Sequence, residues 1–417
     1  MKNNRSPLVT IFLTVFIDML GVGIIIPVLP ALFFDPETSI ISTTFSADQR
    51  SLLYGALLAV FPLLQFFGAP MLGSLSDRYG RKPVLLVSQT GTMIGYILLA
   101  LAIYWQNLPL LFFSRMLPGF TGGNIAVILS SIADLSDNSS KAKNFGLVGM
   151  AFGLGFILGP TIGGILADDT VVSWFSAATP FWFTAVLTLL NVIFVIVAFP
   201  ETLKKRRETK INLLTGFRNL ALSFGSPNLR RIFTVVLLLS LGFTFFTQFF
   251  AVYLIQDFAY SEKSIGLLFG WVGVWLAITQ GVIVPRLSKR YPPQQILTYS
   301  ILGLSASLIL ILIPNNDLLL YALNPFVALA QGITSPNLTA TISMQANEDQ
   351  QGEILGINQS MQSLGQLIPP LIGGYLITIN TSMPIWVGSG LILLGWVVFV
   401  VFFGPNKQSN TLDTKQL

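Results

Sequence analysis

Long apolar runs separated by short polar loops make up most of the chain. Twelve runs could cross a bilayer, since a spanning helix needs about 20 mostly apolar residues. They fall at roughly 8–33, 51–72, 83–104, 108–133, 144–167, 174–199, 231–256, 264–286, 295–313, 317–342, 353–379 and 383–404. With 53% hydrophobic and 10% charged residues, the chain has too little polar surface to coat a water-soluble globule. The pattern predicts an all-α membrane protein with twelve transmembrane helices.

The basic residues mark one side of this predicted membrane protein. Twenty of the 23 Lys and Arg residues fall in loops on the same side. Because cytoplasmic loops carry an excess of Lys and Arg, we expect both termini and the long central loop to be cytoplasmic, in the plasma (inner) membrane. The net charge of +5 then reflects topology, and we expect no nucleic-acid partner.

The chain contains no Cys and no His. It therefore lacks the thiolate and imidazole groups used in nucleophilic catalysis, acid–base catalysis and metal binding. It also lacks the Gly-x-x-x-x-Gly-Lys-Ser/Thr loop that would bind ATP. We expect no catalytic residue, no metal site and no enzymatic activity.

The two halves of the chain resemble each other at an offset near 210 residues. Leu75–Tyr79, for example, matches Leu287–Tyr291. The predicted domains are an N-terminal six-helix bundle at 1–199, a cytoplasmic loop at 200–230, a C-terminal six-helix bundle at 231–404 and a cytoplasmic tail at 405–417. Parallel repeats of this kind place the substrate site near the middle of the membrane, between the two pseudo-symmetric bundles.

Four segments resemble a known transporter family. Gly73–Pro83, which carries Asp77, Arg78 and Arg81 between two spans, is similar to the loop signature of the major facilitator superfamily. Asp18–Gly23 resembles the first helix of tetracycline-type antiporters. Arg115 with Gly119 resembles a fourth-helix motif proposed to act in proton transfer, and Gly155–Gly164 resembles a fifth-helix motif of antiporters. The resemblance implies the superfamily's fold and, within it, a twelve-helix drug–proton antiporter similar to tetracycline and multidrug exporters.

The loop signature predicts a conformational latch. Gly73 and Gly80 would let the backbone turn and pack closely. The resemblance implies that Asp77 faces the positive N-terminal end of helix eleven, near Gly352, and that Arg81 pairs with Asp134. The latch residues, which include Arg78, would hold the cytoplasmic side shut. The alternative is that these residues are solvated charges that only set topology.

Asp18 and Arg115 are the two charges deep inside predicted spans. Intramembrane ionisable groups are costly and usually pair or act in transport. Asp18 lies close to the middle of the first span, and Arg115 lies at a similar depth. Movement of Arg115 relative to Asp18 could load or release a proton. The alternative is a static ion pair that fixes helix packing.

The fifth predicted span, 144–167, carries closely spaced small residues and one proline. The predicted gating residues are Gly155, Gly159, Pro160, Gly163 and Gly164. Small residues allow close helix contact, and proline permits a bend. Such a helix could act as a gate, or the motif could reflect ordinary membrane packing.

The second half is rich in aromatic and neutral polar residues, which predicts a cavity for an amphipathic or cationic compound. The candidate cavity residues are Asn124, Phe246, Gln248, Phe249, Trp275, Asn337, Asn358 and Gln362. For any single aromatic, contact with lipid or with other helices is the alternative. The resemblance to tetracycline antiporters implies, for some of them, a further carboxylate in the ninth helix. The predicted ninth helix, 295–313, has none, which argues against a tetracycline–metal substrate.

Together these features predict a secondary active transporter working by alternating access. Protons would enter through Asp18, an amphipathic drug would leave, and the proton gradient alone would supply the energy without a cofactor. The expected partners are the small amphipathic substrate, protons and the lipid bilayer, and we expect a monomer. The alternatives are a proton-coupled transporter of a sugar or metabolite, and a lipid or glycolipid translocator.

Overall fold

A computed structural model describes residues 5–35, 39–41, 44–135, 141–203, 227–313, 316–344 and 351–403. The regular structure of these residues is helical. The α-helices are α1 Arg5–Phe34, α2 Ala47–Tyr79, α3 Arg81–Tyr104, α4 Leu108–Thr121, α5 Ile125–Leu135, α6 Lys141–Ala167, α7 Thr179–Ala198, α8 Pro227–Phe258, α9 Glu262–Ile278, α10 Val284–Ser288, α11 Pro293–Leu310, α12 Asp317–Ser343, α13 Gln351–Ile379 and α14 Met383–Phe403. A π-helix at Thr279–Ile283 joins α9 to α10.

These helices account for twelve membrane segments. Within the described residues, nine segments are long and apolar enough to span a membrane, with α4 and α5 forming one of them and α9 with α10 another. Three further helices of 18 to 29 residues, α6, α11 and α13, complete the series. The predicted twelve-helix, all-α membrane fold is confirmed.

The described residues fall into two compact units. The first comprises Met1–Gly216 with Leu254–Gly273, and the second comprises Phe217–Tyr253 with Val274–Leu417. Leu254–Gly273, which spans the turn between α8 and α9, belongs with the first unit because the start of α9 packs closely on α6.

Two predicted spans are interrupted. The fourth span divides into α4 and α5 at Gly122–Asn124, where the Gly122 amide donates to the Pro118 carbonyl at 2.6 Å. A Cβ on Gly123 would overlap the backbone of Ala69. In the eighth span, Pro285 lacks the amide hydrogen that would continue the α-helical pattern, and the π-helix precedes it.

The second span is longer than its apolar core. It begins at a capping box, in which the Gln49 amide donates to Ser46 Oγ at 3.2 Å and the Ser46 amide donates to Gln49 Oε1 at 2.9 Å. Helix α2 then continues through Tyr79, so only Gly80 separates it from α3. The loop signature Gly73–Pro83 is therefore helical except at Gly80.

Candidate functional site

Asp18 lies near the middle of α1 and receives hydrogen bonds from two amide side chains. Gln89 Nε2 on α3 lies 3.1 Å from each carboxylate oxygen of Asp18. Asn124 Nδ2, in the break between α4 and α5, donates to Asp18 Oδ2 at 2.7 Å. Within the described residues, no Lys or Arg nitrogen lies within 4.0 Å of this carboxylate. The Asp18 cluster, defined as Asp18, Gln89 and Asn124, therefore holds a carboxylate by neutral donors.

The side-chain oxygen of Gln89 is a second feature of this cluster. Its Oε1 is buried and has no hydrogen-bond partner within the described residues. A buried acceptor without a partner costs about 1–3 kcal/mol. Rotating the Gln89 amide would present this acceptor to Asp18, and only a protonated Asp18 has a hydrogen to donate to it. The cluster can thus hold Asp18 in either protonation state.

Arg115 does not form the ion pair with Asp18 that one alternative predicted. Its guanidinium lies over the Phe61 ring of α2, 4.8 Å from the centroid, a cation–π contact. Arg115 Nε is buried without a hydrogen-bond partner in the part of the chain that the structure describes. Tyr96 on α3 lies near both Asp18 and Arg115. A role of Arg115 in proton transfer stays a prediction.

Gly21 makes room for that tyrosine. A Cβ on Gly21 would overlap the Tyr96 hydroxyl. Gly21 lies one helical turn after Asp18 on α1, so the two residues share a face. The glycine of the first-helix motif thus brings the Tyr96 hydroxyl to the level of the Asp18 cluster.

A second cluster of charges joins the ends of α2, α3 and α5. Arg81 Nη1 contacts Asp77 Oδ1 at 2.6 Å and Arg81 Nε contacts Asp134 Oδ2 at 3.1 Å. Arg81 Nη1 also donates to Ser76 Oγ at 2.7 Å. The Arg81 side chain is only 7% exposed, against 34% for Asp77 and 25% for Asp134. The latch cluster, defined as Asp77, Arg81 and Asp134, thus contains the Arg81–Asp134 pair implied by the family resemblance.

Glu201, which the sequence did not single out, caps the start of α3. Its carboxylate accepts hydrogen bonds from the amides of Arg81, at 2.9 Å, and Lys82, at 3.2 Å. A carboxylate at a helix N-terminus satisfies free amides and the helix dipole. Thr202 Oγ1 lies 3.5 Å from Asp134 Oδ2. The segment after α7 is therefore tied to the latch cluster.

The two glycines of the loop signature have different roles. Gly80 has φ +114°, a conformation that favours glycine, and a Cβ there would overlap the Glu201 carboxylate. Gly73 lies inside α2, and a Cβ there would meet Ala126 Cβ at 3.8 Å, an ordinary contact. The prediction of a turn or close approach is right for Gly80 and wrong for Gly73.

Two further latch predictions have separate outcomes. Arg78 is exposed and lies over the ring of its neighbour Tyr79, 5.3 Å from the centroid, so it stands apart from the latch cluster. The predicted contact of Asp77 is with the start of the eleventh span, which is α13 in the structure. The surroundings of Gly352 there lie outside the described part of the chain. That contact stays a prediction.

Helix α5 connects the two clusters. Asn124 immediately precedes α5 and Asp134 is its penultimate residue, which separates them by about 15 Å at 1.5 Å per residue. Between them, Val127, Ile128 and Ile132 are buried in the apolar core formed with α1, α2, α3 and α6. A close-packed helix of this length transmits displacement from one end to the other as a rigid element.

The glycines of α6 face two different neighbours. A Cβ on Gly155, Gly159 or Gly163 would lie within 2.7 Å of α1 atoms, including the carbonyls of Leu20 and Ile24. These three glycines therefore pack α6 against α1 inside the first unit. Their small size is used in a contact between helices of the same half, and their gating role stays a prediction.

Gly164 lies on the other face of α6, against α9. Pro160 lies between α1 and α9, because its ring packs beside Gly23 of α1 while its carbonyl faces Gly266 of α9. A Cβ on Gly164 would overlap the Glu262 carbonyl, and one on Gly266 would overlap the Pro160 carbonyl. Thr161 Oγ1 also donates to the Gly266 carbonyl at 3.1 Å. This face joins α6 to α9 within the first unit, and the gating role of Pro160 and Gly164 stays a prediction.

An ion pair closes the end of this contact. Lys263 Nζ, at the start of α9, lies 3.3 Å from Asp168 Oδ2, just after α6. The Thr170 hydroxyl and amide donate to Asp168 Oδ1 at 2.6 and 2.8 Å. The Thr170 hydroxyl, together with its amide and Lys263, holds the pKa of Asp168 below its ordinary value.

This ion pair should not respond to moderate acid. Because the folded pKa of Asp168 is lowered, its stabilising contribution is present above its unfolded pKa of about 3.9 and is lost only at lower pH. Lys263→Gln should therefore cost the same at about pH 7.5 and about pH 5.5, and less than about 1 kcal/mol because the Lys263 side chain is 40% exposed. Thermal unfolding at both pH values checks this, and a cost that vanishes by pH 5.5 would contradict it.

Two predicted cavity aromatics are buried packing residues. Phe249 on α8 fills the space beside Gly373 of α13, where a Cβ would overlap its ring. Phe246 packs on Phe250, with ring centroids 4.8 Å apart. Both side chains are therefore used in packing between helices, which was the alternative to lining the cavity.

The predicted cavity amides differ in their bonding. Asn337 Nδ2 donates to the Ile333 carbonyl of its own helix at 2.7 Å. Asn358 Oδ1 is buried without a hydrogen-bond partner in the described ranges, and Asn124 belongs to the Asp18 cluster. The remaining candidates, Gln248, Trp275 and Gln362, are half-buried, and their role in substrate binding stays a prediction.

Twelve membrane segments and an ionisable group held by amides at mid-helix are the features of a multi-pass membrane transporter. The chain belongs to the Major Facilitator Superfamily, whose family model matches residues 11–323 and 232–416. The predicted family is confirmed, and the protein is a multi-pass protein of the cell membrane.

Its relatives include two kinds of resistance protein. The class C tetracycline resistance protein of Escherichia coli is 30% identical over 400 residues, which cover 95% of this chain and 94% of that protein. The quinolone resistance protein NorA of Staphylococcus aureus is 28% identical over 396 residues, covering 94% and 95%.

Solved structures share the fold. The human organic anion transporter MFSD10 matches with a TM-score of 0.71 and 23% identity, over 96% of this chain and 100% of that one. A D-xylose–proton symporter matches with a TM-score of 0.74 and 15% identity, over 95% and 96%.

Proposed function

We propose that this protein is a drug–proton antiporter that exports amphipathic compounds. The observation that carries the proposal is the Asp18 cluster, a carboxylate at mid-membrane whose neighbours can serve both its charged and its protonated form. The similarity to tetracycline and quinolone resistance proteins supports drugs as the substrate class. In this proposal the proton gradient is the only energy source, no cofactor takes part, and both termini are cytoplasmic.

The proposed coupling begins with proton uptake by Asp18. The charged carboxylate accepts hydrogen bonds from Gln89 and Asn124. Protonation removes one acceptor site and adds a donor, so the two amides must rearrange. Gln89 can do so by turning its free Oε1 toward the new hydroxyl, while Asn124 loses its strongest acceptor.

Helix α5 would carry this change to the cytoplasmic end. Asn124 is attached to the start of α5, and Asp134 near its end contacts Arg81. A shift of Asn124 therefore pulls on the Arg81–Asp134 pair. In this way the protonation state of Asp18 biases the latch cluster and, with it, the side of the membrane that is open.

Asn358 supports a substrate that carries a hydrogen-bond donor. Its Oδ1 is buried on α13 and has no partner within the described residues. A protonated amine or an amide N–H of a drug would donate a hydrogen bond to this oxygen. Burial strengthens such a bond, because the local dielectric constant is low. This acceptor is consistent with a cationic amphipathic substrate.

Everted membrane vesicles test the proposal. Vesicles from cells that express the protein are acidified inside by a respiratory substrate, and a pH-sensitive dye reports the gradient. Adding a cationic or tetracycline-type drug should release part of the gradient, because the drug enters as protons leave. Vesicles without the protein serve as the control. An unchanged gradient across a broad panel of such drugs would refute the proposal.

A further inference from the structure

A cavity of about 690 Å³ lies between α11 and α12 of the second unit, within the usual size range of small-molecule sites. Its apolar wall includes Ile296, Gly303, Leu310 and Ile333. Two lining side chains remain exposed, Tyr299 at 70% and Phe326 at 53%. The cavity is therefore an apolar groove that is open along one side, and in a membrane that side faces acyl chains.

The floor of the groove offers little to a polar ligand. The hydroxyl of Ser300 is hydrogen-bonded to Thr334 Oγ1 at 2.9 Å, and Ser307 Oγ donates to the Leu304 carbonyl at 2.9 Å. These two hydroxyls are thus already hydrogen-bonded within the protein. Hydrocarbon is the chemistry that this surface recognises.

One end of the groove is basic. Leu287 and Tyr291 line that end, and the exposed residues Arg286, Lys289 and Arg290 belong to the same short segment. From Gln295 to Leu310 the groove follows α11 for about 22 Å at 1.5 Å per residue. One leaflet of the hydrocarbon core is about 15 Å thick, so an acyl chain fits along the groove when its headgroup lies at the basic end.

We propose that this groove binds one anionic diacyl phospholipid. An acyl chain lies between α11 and α12, and the phosphate lies against Arg286, Lys289 and Arg290. Clusters of Lys and Arg at a membrane surface attract anionic lipid headgroups. The residues that line the groove include none of the predicted drug-cavity residues, so the groove is separate from the proposed drug site.

Native mass spectrometry of the purified full-length protein in detergent tests this. The protein is titrated with dioleoylphosphatidylglycerol, and with dioleoylphosphatidylcholine as the neutral reference. We expect one phosphatidylglycerol molecule to bind at least about fivefold more tightly than phosphatidylcholine, and the protein to stay at the same oligomeric mass.

Two variants locate the bound lipid, each with a matched control. Gly303→Leu should weaken phosphatidylglycerol binding about fivefold or more, because a Cβ at Gly303 has its nearest neighbour at 4.0 Å and the rest of the side chain enters the groove. Gly390→Leu, at an exposed glycine with nothing within 4 Å, should leave binding unchanged. Both substitutions favour the helix, so both variants should fold.

The charged end is tested by Lys289→Gln combined with Arg290→Gln. This variant should lose the preference for phosphatidylglycerol over phosphatidylcholine but keep binding to phosphatidylcholine. Arg230→Gln with Arg231→Gln removes the same charge from the exposed start of α8 and should keep the preference. Equal binding of the two lipids by the unmodified protein, or full phosphatidylglycerol binding by Gly303→Leu, would overturn the proposal. A change of oligomeric mass in Gly303→Leu would instead assign the groove to a second copy of the chain.

Discussion

Replacing Asp18 by Asn should stop proton-coupled transport and leave the protein folded. Asn has the same shape but neither ionises nor takes up a proton. The fold should tolerate the change because the free Gln89 Oε1 can accept a hydrogen bond from the new amide. A positioned proton-transfer group contributes about 10²–10⁴ to a rate, so we expect drug-driven proton flux in proteoliposomes to fall by about 100-fold or more.

Drug binding and a control variant distinguish loss of coupling from loss of structure. The Asp18→Asn protein should bind a fluorescent cationic drug with an affinity close to that of the unmodified protein. Asp48→Asn makes the same chemical change at an exposed residue in the first turn of α2 and should keep full flux. If Asp18→Asn exported drug at the full rate under a pH gradient, Asp18 would have no part in coupling.

Replacing Arg81 by Ala should give the largest loss of stability among single charge removals in the first unit. Its guanidinium is buried and bonds Asp77, Asp134 and Ser76. Removing one partner of a buried ion pair costs about 3–5 kcal/mol. Because Asp77 and Asp134 are partly exposed and water can reach them, we expect about 2 kcal/mol, seen as a lower apparent melting temperature in detergent.

Arg78→Ala is the matched control for this variant. Arg78 is exposed and lies over the Tyr79 ring, so the change should stay within about 0.5 kcal/mol. Because α5 joins Asp134 to the Asp18 cluster, Arg81→Ala should also slow drug-driven proton flux, whereas Arg78→Ala should not. Equal melting temperatures for the two variants would show that the latch cluster contributes nothing to stability.

Some features of the site could be expected before the structure was known. Asp18 is a charge in an apolar run, and its position in the run places it near mid-helix, as α1 shows. Gly80 has the left-handed φ that the loop signature implied. Such signals are local, because the cost of a charge in lipid and the freedom of glycine depend on the residue itself.

Other features depend on which helix faces meet. Gln89 and Tyr96 lie in the third span, where a neutral amide and a phenol give no sign that they surround a carboxylate on α1. The sequence places Asn124 among the cavity residues, because no local pattern predicts the break between α4 and α5 that turns it toward Asp18. Glu201 lies about 120 positions after the helix that it caps.

The membrane environment, the number of membrane segments and the depth of Asp18 in its span follow from the residues alone, because hydrophobicity and charge act residue by residue. Three facts required the packed helices: amides rather than Arg115 surround Asp18, three glycines of α6 pack against α1, and α5 links Asp18 to Arg81. These outcomes depend on the rotation and break of each helix, which are set by close packing between segments distant in the chain.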